Sequence, residues 1–168
     1  GSVVMAYLLD ANVFIQAKNL HYGLDFCPAF WQWLIENNKS EIVFSIEKVG
    51  DEIAAGADEL ADWASQFDEK FFLKPDKTIL SAFTTVTNWV TQNGYDSAAV
   101  NTFLQIADYF LIAYAIAHKY TIVTHEKADN SKKKIKIPNV CIGLGVKCMT
   151  PFEMLRLERA RFILGTKK

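Results

Sequence analysis

The stretch Tyr7-Leu8-Leu9-Asp10-Ala11-Asn12-Val13-Phe14-Ile15 constrains the fold more than any other part of the chain. An apolar run stops at an aspartate, and a second apolar run begins at Val13. That pattern predicts a short buried strand emptying into a helix. Asp10 then sits at the carboxyl end of the strand, where open α/β sheets bind their ligands. The same place suits a helix N-cap, because an aspartate there accepts hydrogen bonds from free backbone N–H groups. On this stretch alone both readings stay open.

A length of 168 residues fits a single domain, expected to span residues 1–168, with room for a real core. Hydrophobic residues at 51% and charged residues at 22% exclude a disordered chain. The net charge of −1 excludes a global basic field, so any nucleic-acid binding must come from a local patch. Cys27, Cys141 and Cys148 are odd in number and lack metal-ligand spacing, which suggests reduced core thiols in a cytoplasmic protein. No apolar stretch reaches the roughly 18 residues of a membrane span, so no membrane role is expected. No secretory signal is visible, and Gly1-Ser2 reads as a cloning remnant.

Further along, Pro28 near a first helical position opens a helix. Its aromatics, together with Phe26 (Phe30, Trp31, Trp33), are assigned to core packing rather than to base stacking. Glu41 to Phe44 is predicted as a second strand, with Ser45 capping a helix from Ile46 to Ala55 that ends at Gly56. Glu52 borders the apolar face of Ile46, Val49 and Ile53, a position open to a solvated side chain or to a functional one. Residues 57–95 form an additional, mainly helical segment: a helix at Ala57–Gln66, an extended Phe71–Lys74 before Pro75, and a helix at Asp76–Gln92. Asp96 starts another helix.

From Ser97 to His118 the one formally charged residue is Asp108, within a helix apolar on nearly every side. A lone buried carboxylate costs about several kcal/mol unless a cation, a metal or hydrogen bonds hold it. A buried ion pair or a helix cap would also account for it. Tyr120 to Thr124 is the next strand, followed by His125 and Glu126. At ~1.5 Å per helical residue and ~3.3 Å per strand residue, Asp108 and Glu126 return to the same end of the domain. With that strand parallel to the first, Asp10, Asp108 and Glu126 meet at one sheet edge, with Glu52 as a fourth. Lys127, Lys132, Lys133, Lys134 and Lys136 follow in a polar loop, either simply solvated or placed to hold a phosphate backbone. Val140-Cys141-Ile142 is predicted as the last strand. Thr150-Pro151-Phe152-Glu153 is a capping box opening a final helix with Arg156, Arg159 and Arg161. The tail Lys167-Lys168 is expected to fray.

Taken in order, four motifs resemble those of PIN-domain ribonucleases, of the kind used as toxins in VapC-type toxin–antitoxin pairs. They are Leu8-Leu9-Asp10-Ala11-Asn12-Val13-Phe14-Ile15, Val49-Gly50-Asp51-Glu52-Ile53-Ala54-Ala55-Gly56, Ala107-Asp108-Tyr109-Phe110-Leu111-Ile112-Ala113-Tyr114-Ala115 and Ile122-Val123-Thr124-His125-Glu126. The resemblance implies a three-layer α/β/α sandwich around a mostly parallel twisted sheet of about four to five strands. It also implies a metal-dependent endoribonuclease acting on RNA, a cognate antitoxin that occludes the acidic groove, and a possible homodimer. Two departures stand out. The fourth acid is usually aspartate and here is Glu126, with Asp129 as an alternative, and the 57–95 segment is additional.

The chemistry also follows from the residues. Crowded carboxylates cannot all ionise unaided, and hard oxygen ligands suit Mg²⁺ or Mn²⁺. Asp10 and Asp108 are the expected principal ligands, with Glu126 bound directly or through water and Glu52 holding a metal-bound water or a second ion. Asn12 and Thr124 are expected to orient carboxylates or the scissile phosphate. Two rivals stand beside this. A phosphatase of the haloacid dehalogenase type needs a second aspartate where Asn12 stands. A catalytically inactive PIN-like module that binds RNA or protein is favoured by Glu126 in place of aspartate.

Overall fold

Tyr7, Leu8 and Leu9 are each 0% exposed. Successive strand side chains point to opposite faces, so three consecutive buried ones need cover on both. In the computed structural model, which describes residues 5–165, helices supply it. Strand β1 (Tyr7–Leu9) lies at the centre of a five-stranded sheet with β2 (Val43–Ile46), β3 (Phe72–Leu73), β4 (Thr121–Val123) and β5 (Cys148–Met149), in the order β3-β2-β1-β4-β5. Every pairing is parallel, with Tyr7 opposite both Val43 and Thr121, and Leu9 opposite Val123. The chain builds outward from β1 to β3, then crosses back to β4 on the other side. That reversal puts a topological switch point between β1 and β4, directly beyond Leu9 and Val123. The expected α/β class with a central parallel sheet is the one observed.

Helix α1 (Ala11–Gln16) starts one residue after Asp10 and runs into a π-helical turn, Ala17–His21. The others are α2 (Pro28–Lys39), α3 (Glu47–Ala55), α4 (Glu59–Ala64), α5 (Leu80–Thr91), α6 (Ser97–Phe103), α7 (Ala107–His118), α8 (Ile137–Leu144) and α9 (Pro151–Leu157). α5 packs on α7 and α8, and α3 on α1 and α4. The aromatics assigned to packing divide: Phe30 and Trp31 are buried, Trp33 is partly buried, and Phe26 is exposed. Among the described residues no single helix is long and apolar enough to cross a membrane. The one pair that meets that test jointly, α6 with α7, is bent by 68°. Gly1-Ser2 and Lys167-Lys168 lie outside the described residues.

Several expectations need correction. Ser45 is not a helix cap; it belongs to β2, fully buried, and its hydroxyl donates to the Leu9 carbonyl at 2.6 Å. Val140–Ile142 is not a strand but the middle of α8. Ile137, Val140, Cys141 and Leu144 recur at helical spacing, and Gly145 closes the helix in the left-handed region (φ 70°). The last strand is instead Cys148–Met149 at the sheet edge. Ser97 to His118 is two helices, broken at 104–106, so Asp108 lies in the first turn of α7 rather than mid-helix. The 57–95 segment holds the extended Phe71–Lys74 expected before Pro75, as the edge strand β3. Its attachment is aromatic, with Trp63, Phe71 and Phe72 each within 6.2 Å of Phe14 between ring centroids. Arg159 and Arg161 lie beyond the end of α9, leaving Arg156 on it.

Gly143 on α8 reports on the α5–α8 contact. A Cβ there would meet the Trp89 indole at 2.3 Å, so the bulk of a ring, not the tip of a flexible chain, would have to move. Gly143→Ala is expected to cost about 1–3 kcal/mol through overpacking, read as a lowered melting temperature in thermal denaturation. An unchanged melting temperature would show that α8 does not depend on this close approach.

Candidate metal centre

Asp10 caps a helix, as its position allowed, and it stands at the carboxyl end of β1. Its backbone is extended (φ −72°, ψ 157°) and its Oδ1 accepts from the Ala11 N–H at 2.7 Å, capping α1. Its Oδ2 accepts from the Thr124 hydroxyl at 2.8 Å, just past the end of β4. The side chain is only 6% exposed. Burial pushes its pKa up to about 6; the bond from Thr124 opposes the rise, and the charges of Glu126 and Glu52 add to it.

Thr124 is a small hub. Its one proton goes to Asp10, while its oxygen accepts from the Asn12 Nδ2 at 3.2 Å and from the Glu126 N–H at 3.1 Å. Asn12 Oδ1 in turn accepts from the His125 N–H at 3.1 Å. The two expected orienting residues thus join the loop after β1 to the loop after β4, and set the backbone that carries Glu126.

Asp108 approaches from α7. The helix break at 104–106 brings it half-buried to this edge, where burial and then the charges of Asp10, Glu126 and Glu52 push its pKa up to about 8. The Lys134 ammonium works the other way on it. Glu126 is partly buried, and its Oε2 accepts from the Ile137 N–H, the start of α8, at 2.9 Å. Glu52 is exposed on α3 and acts on Asp10 and Asp108 by charge alone.

Asp129 does not join them. It is exposed, its carboxylate accepts from the Ser131 N–H at 2.9 Å, and its backbone pairs with the Asn139 side chain. Of the lysines, Lys134 is the one whose charge is felt at Asp108. Lys133 and Lys134 line a groove of about 310 Å³ with Phe103 and Ile106, whereas Lys132 donates to the Asn93 carbonyl at 3.0 Å. Lys127 is exposed. Sequence reasoning passed over His21 and His125, whose rings stack at 5.6 Å beside this edge. Burial, helped by His21, lowers the His125 pKa. The one available signal was its place between Thr124 and Glu126.

The donor set is all hard oxygen, which suits a divalent cation such as Mg²⁺ or Mn²⁺ in kind. Among the described residues, however, no three His, Cys, Asp or Glu side chains are drawn together closely enough to enclose an ion as they stand.

A model of the family described as "Domain of unknown function (DUF4411)" matches residues 7–162, and the chain belongs to that family. No curated protein matches the sequence. Among solved structures, the chain is similar to one from the crystal structure of VapBC2 from Rickettsia felis bound to a DNA fragment from their promoter. The two are 18% identical, the match covers 73% of this chain and 89% of that one, and the TM-score is 0.48. At that level the likeness carries no inference about activity.

The raised carboxyls make stability depend on pH. Asp108 binds its proton more tightly folded (about 8) than its ordinary 3.8, so its stabilisation is full below pH 3.8 and is lost as pH rises through 8. Asp10 adds a loss between 3.8 and about 6. Asp108→Asn is expected to raise the melting temperature at pH 8–9 in EDTA by several degrees, at ~2–4 °C per kcal/mol, and to flatten the pH profile. Parallel wild-type and variant profiles would show that Asp108 is solvated as an ordinary carboxylate.

Proposed function

We propose that this protein is a PIN-like, metal-dependent endoribonuclease that hydrolyses RNA phosphodiesters and is held in check by a partner, as a toxin is by its antitoxin. The observation that carries the reading is that Asp10 and Asp108 are both pushed up, by burial first and then by the charges of neighbouring acids, Glu126 and Glu52 among them. Desolvated carboxyls among other acids are costly to ionise without a cation, and such perturbed groups concentrate at functional sites. The order of the four motifs supports the same reading.

Asp10 and Asp108 would hold Mg²⁺ or Mn²⁺, with Glu126 joining directly or through water, and Glu52 a water or a second ion. When bound, the cation supplies Lewis acidity that acidifies a water and offsets charge on the reacting phosphoryl group. Thr124 holds Asp10 in one orientation, because its proton is committed there, and Asn12 holds Thr124. Lys134, beside Asp108, and Lys133 offer phosphate contacts on the α6 side. An RNA-cleaving chain of this kind needs restraint in its cell, and a basic side chain from a partner would satisfy the same carboxylates.

One observation favours a second reading, a PIN-like module that binds RNA or protein without cleaving. Glu126 already spends one oxygen on the Ile137 N–H. Cleavage of single-stranded RNA with Mn²⁺ separates the two. The nuclease reading expects EDTA-sensitive cleavage that falls at least about 100-fold in Asp10→Asn and in Asp108→Asn, scaled to the loss of a charge-stabilising group. It also expects Mn²⁺ to raise the melting temperature of the wild type and of neither variant. No cleavage and no Mn²⁺-induced stabilisation in the folded wild type would move the assignment to the binding module.

A further inference from the structure

Next to Glu126 in the chain, His125 joins His21 and Phe152 in a ring cluster. The His21 and His125 rings stack with centroids 5.6 Å apart and planes at 28°. Phe152, at the start of α9, meets His21 edge-on at 5.1 Å and His125 at 5.6 Å. These rings come from the turn after α1, the loop after β4 and α9. His21 is exposed, while His125 and Phe152 are partly so.

Three features single the cluster out. His21 ends the π-helical turn Ala17–His21, a rare geometry that is frequent at functional sites. Among the described residues neither imidazole ring makes a hydrogen bond, although the His125 backbone N–H is fixed by Asn12. And His125 stands between Thr124, which binds Asp10, and Glu126. Any ligand on the rings is therefore one residue from the acids.

We propose that His21, His125 and Phe152 form a stacking platform that seats the unpaired nucleobase beside the scissile phosphate. This rests on the nuclease reading and adds the residues that bind the base. Flat π faces accept any base, and unpaired ring nitrogens can meet base edges or the 2′-hydroxyl; a duplex would keep its bases stacked on each other and out of reach. Lys133 and Lys134, in the groove beside α6, would meet the phosphates of the same strand.

The test uses a labelled single-stranded RNA, the same RNA in a duplex, and one carrying an abasic residue beside the cleavage point. His21→Ala is expected to raise KM for the single strand about tenfold, the typical effect of one lost base stack, with kcat and melting temperature little changed. His21→Phe should restore KM, and the abasic RNA should lose the same factor in wild type but no more in His21→Ala. The wild type should cut the duplex poorly. An unchanged KM in a folded His21→Ala, or equal cutting of duplex and single strand, overturns the platform. If the wild type cuts nothing, the nuclease reading fails separately, and fluorescence anisotropy with the same RNA in EDTA decides the platform: binding weakened in His21→Ala supports it, and absent or unaltered binding overturns it.

Discussion

The burial of a carboxylate at the blind end of a fully buried strand governs the rest of this structure. Tyr7, Leu8 and Leu9 have no exposed surface, so the residue that follows must either be apolar or bring partners with it. Asp10 brings them. Its two oxygens take the first N–H of α1 and the Thr124 hydroxyl, and those bonds tie the start of one helix to the end of the neighbouring strand. The Thr124 oxygen then collects Asn12 and the Glu126 N–H. One desolvated group thereby fixes the geometry of both loops at the switch point.

The second acid is set against that arrangement rather than with it. α7 starts where the chain bends by 68° from α6, and this bend delivers Asp108 to the edge instead of leaving it in the apolar middle of a longer helix. Burial, and then the charges of Asp10, Glu126 and Glu52, hold the Asp108 carboxyl well above the ordinary carboxylate range. Perturbed carboxyls of this kind concentrate at functional sites, which is why the proposed cation is placed here. The rings of His21, His125 and Phe152 pack together next to Glu126 in the chain, since His125 precedes it.

Much of this was legible in the sequence because the strands are short apolar runs ending in polar residues. Leu9-Asp10 and Val123-Thr124 mark the switch point by composition alone, and the rise per residue was enough to return Asp108 and Glu126 to one end. What escaped has physical reasons. Gln105 sits in an otherwise apolar run with no glycine or proline, so the break between α6 and α7 left no local signal; packing imposes it. The α8 segment was misread because Val140-Cys141-Ile142 is β-like over three residues, while its helical spacing shows only over Ile137 to Leu144. Ser45 looked like a cap, yet β2 extends through it to Ile46, and its hydroxyl serves the Leu9 carbonyl. The meeting of His21 with His125 depends on a π-helical turn, which no periodicity announces.

A divalent cation bound as proposed would have to displace the proton that burial and the neighbouring acids keep on Asp108. Calorimetric titration of Mn²⁺ at pH 7, in buffers of different ionisation enthalpy, measures the protons released on binding. With Asp108 at about 8 and Asp10 at about 6, wild type should release about one proton per ion at pH 7 and almost none at pH 9. Asp108→Asn should lose both the release and most of the affinity. Binding without proton release at pH 7, or binding untouched by Asp108→Asn, would contradict the account.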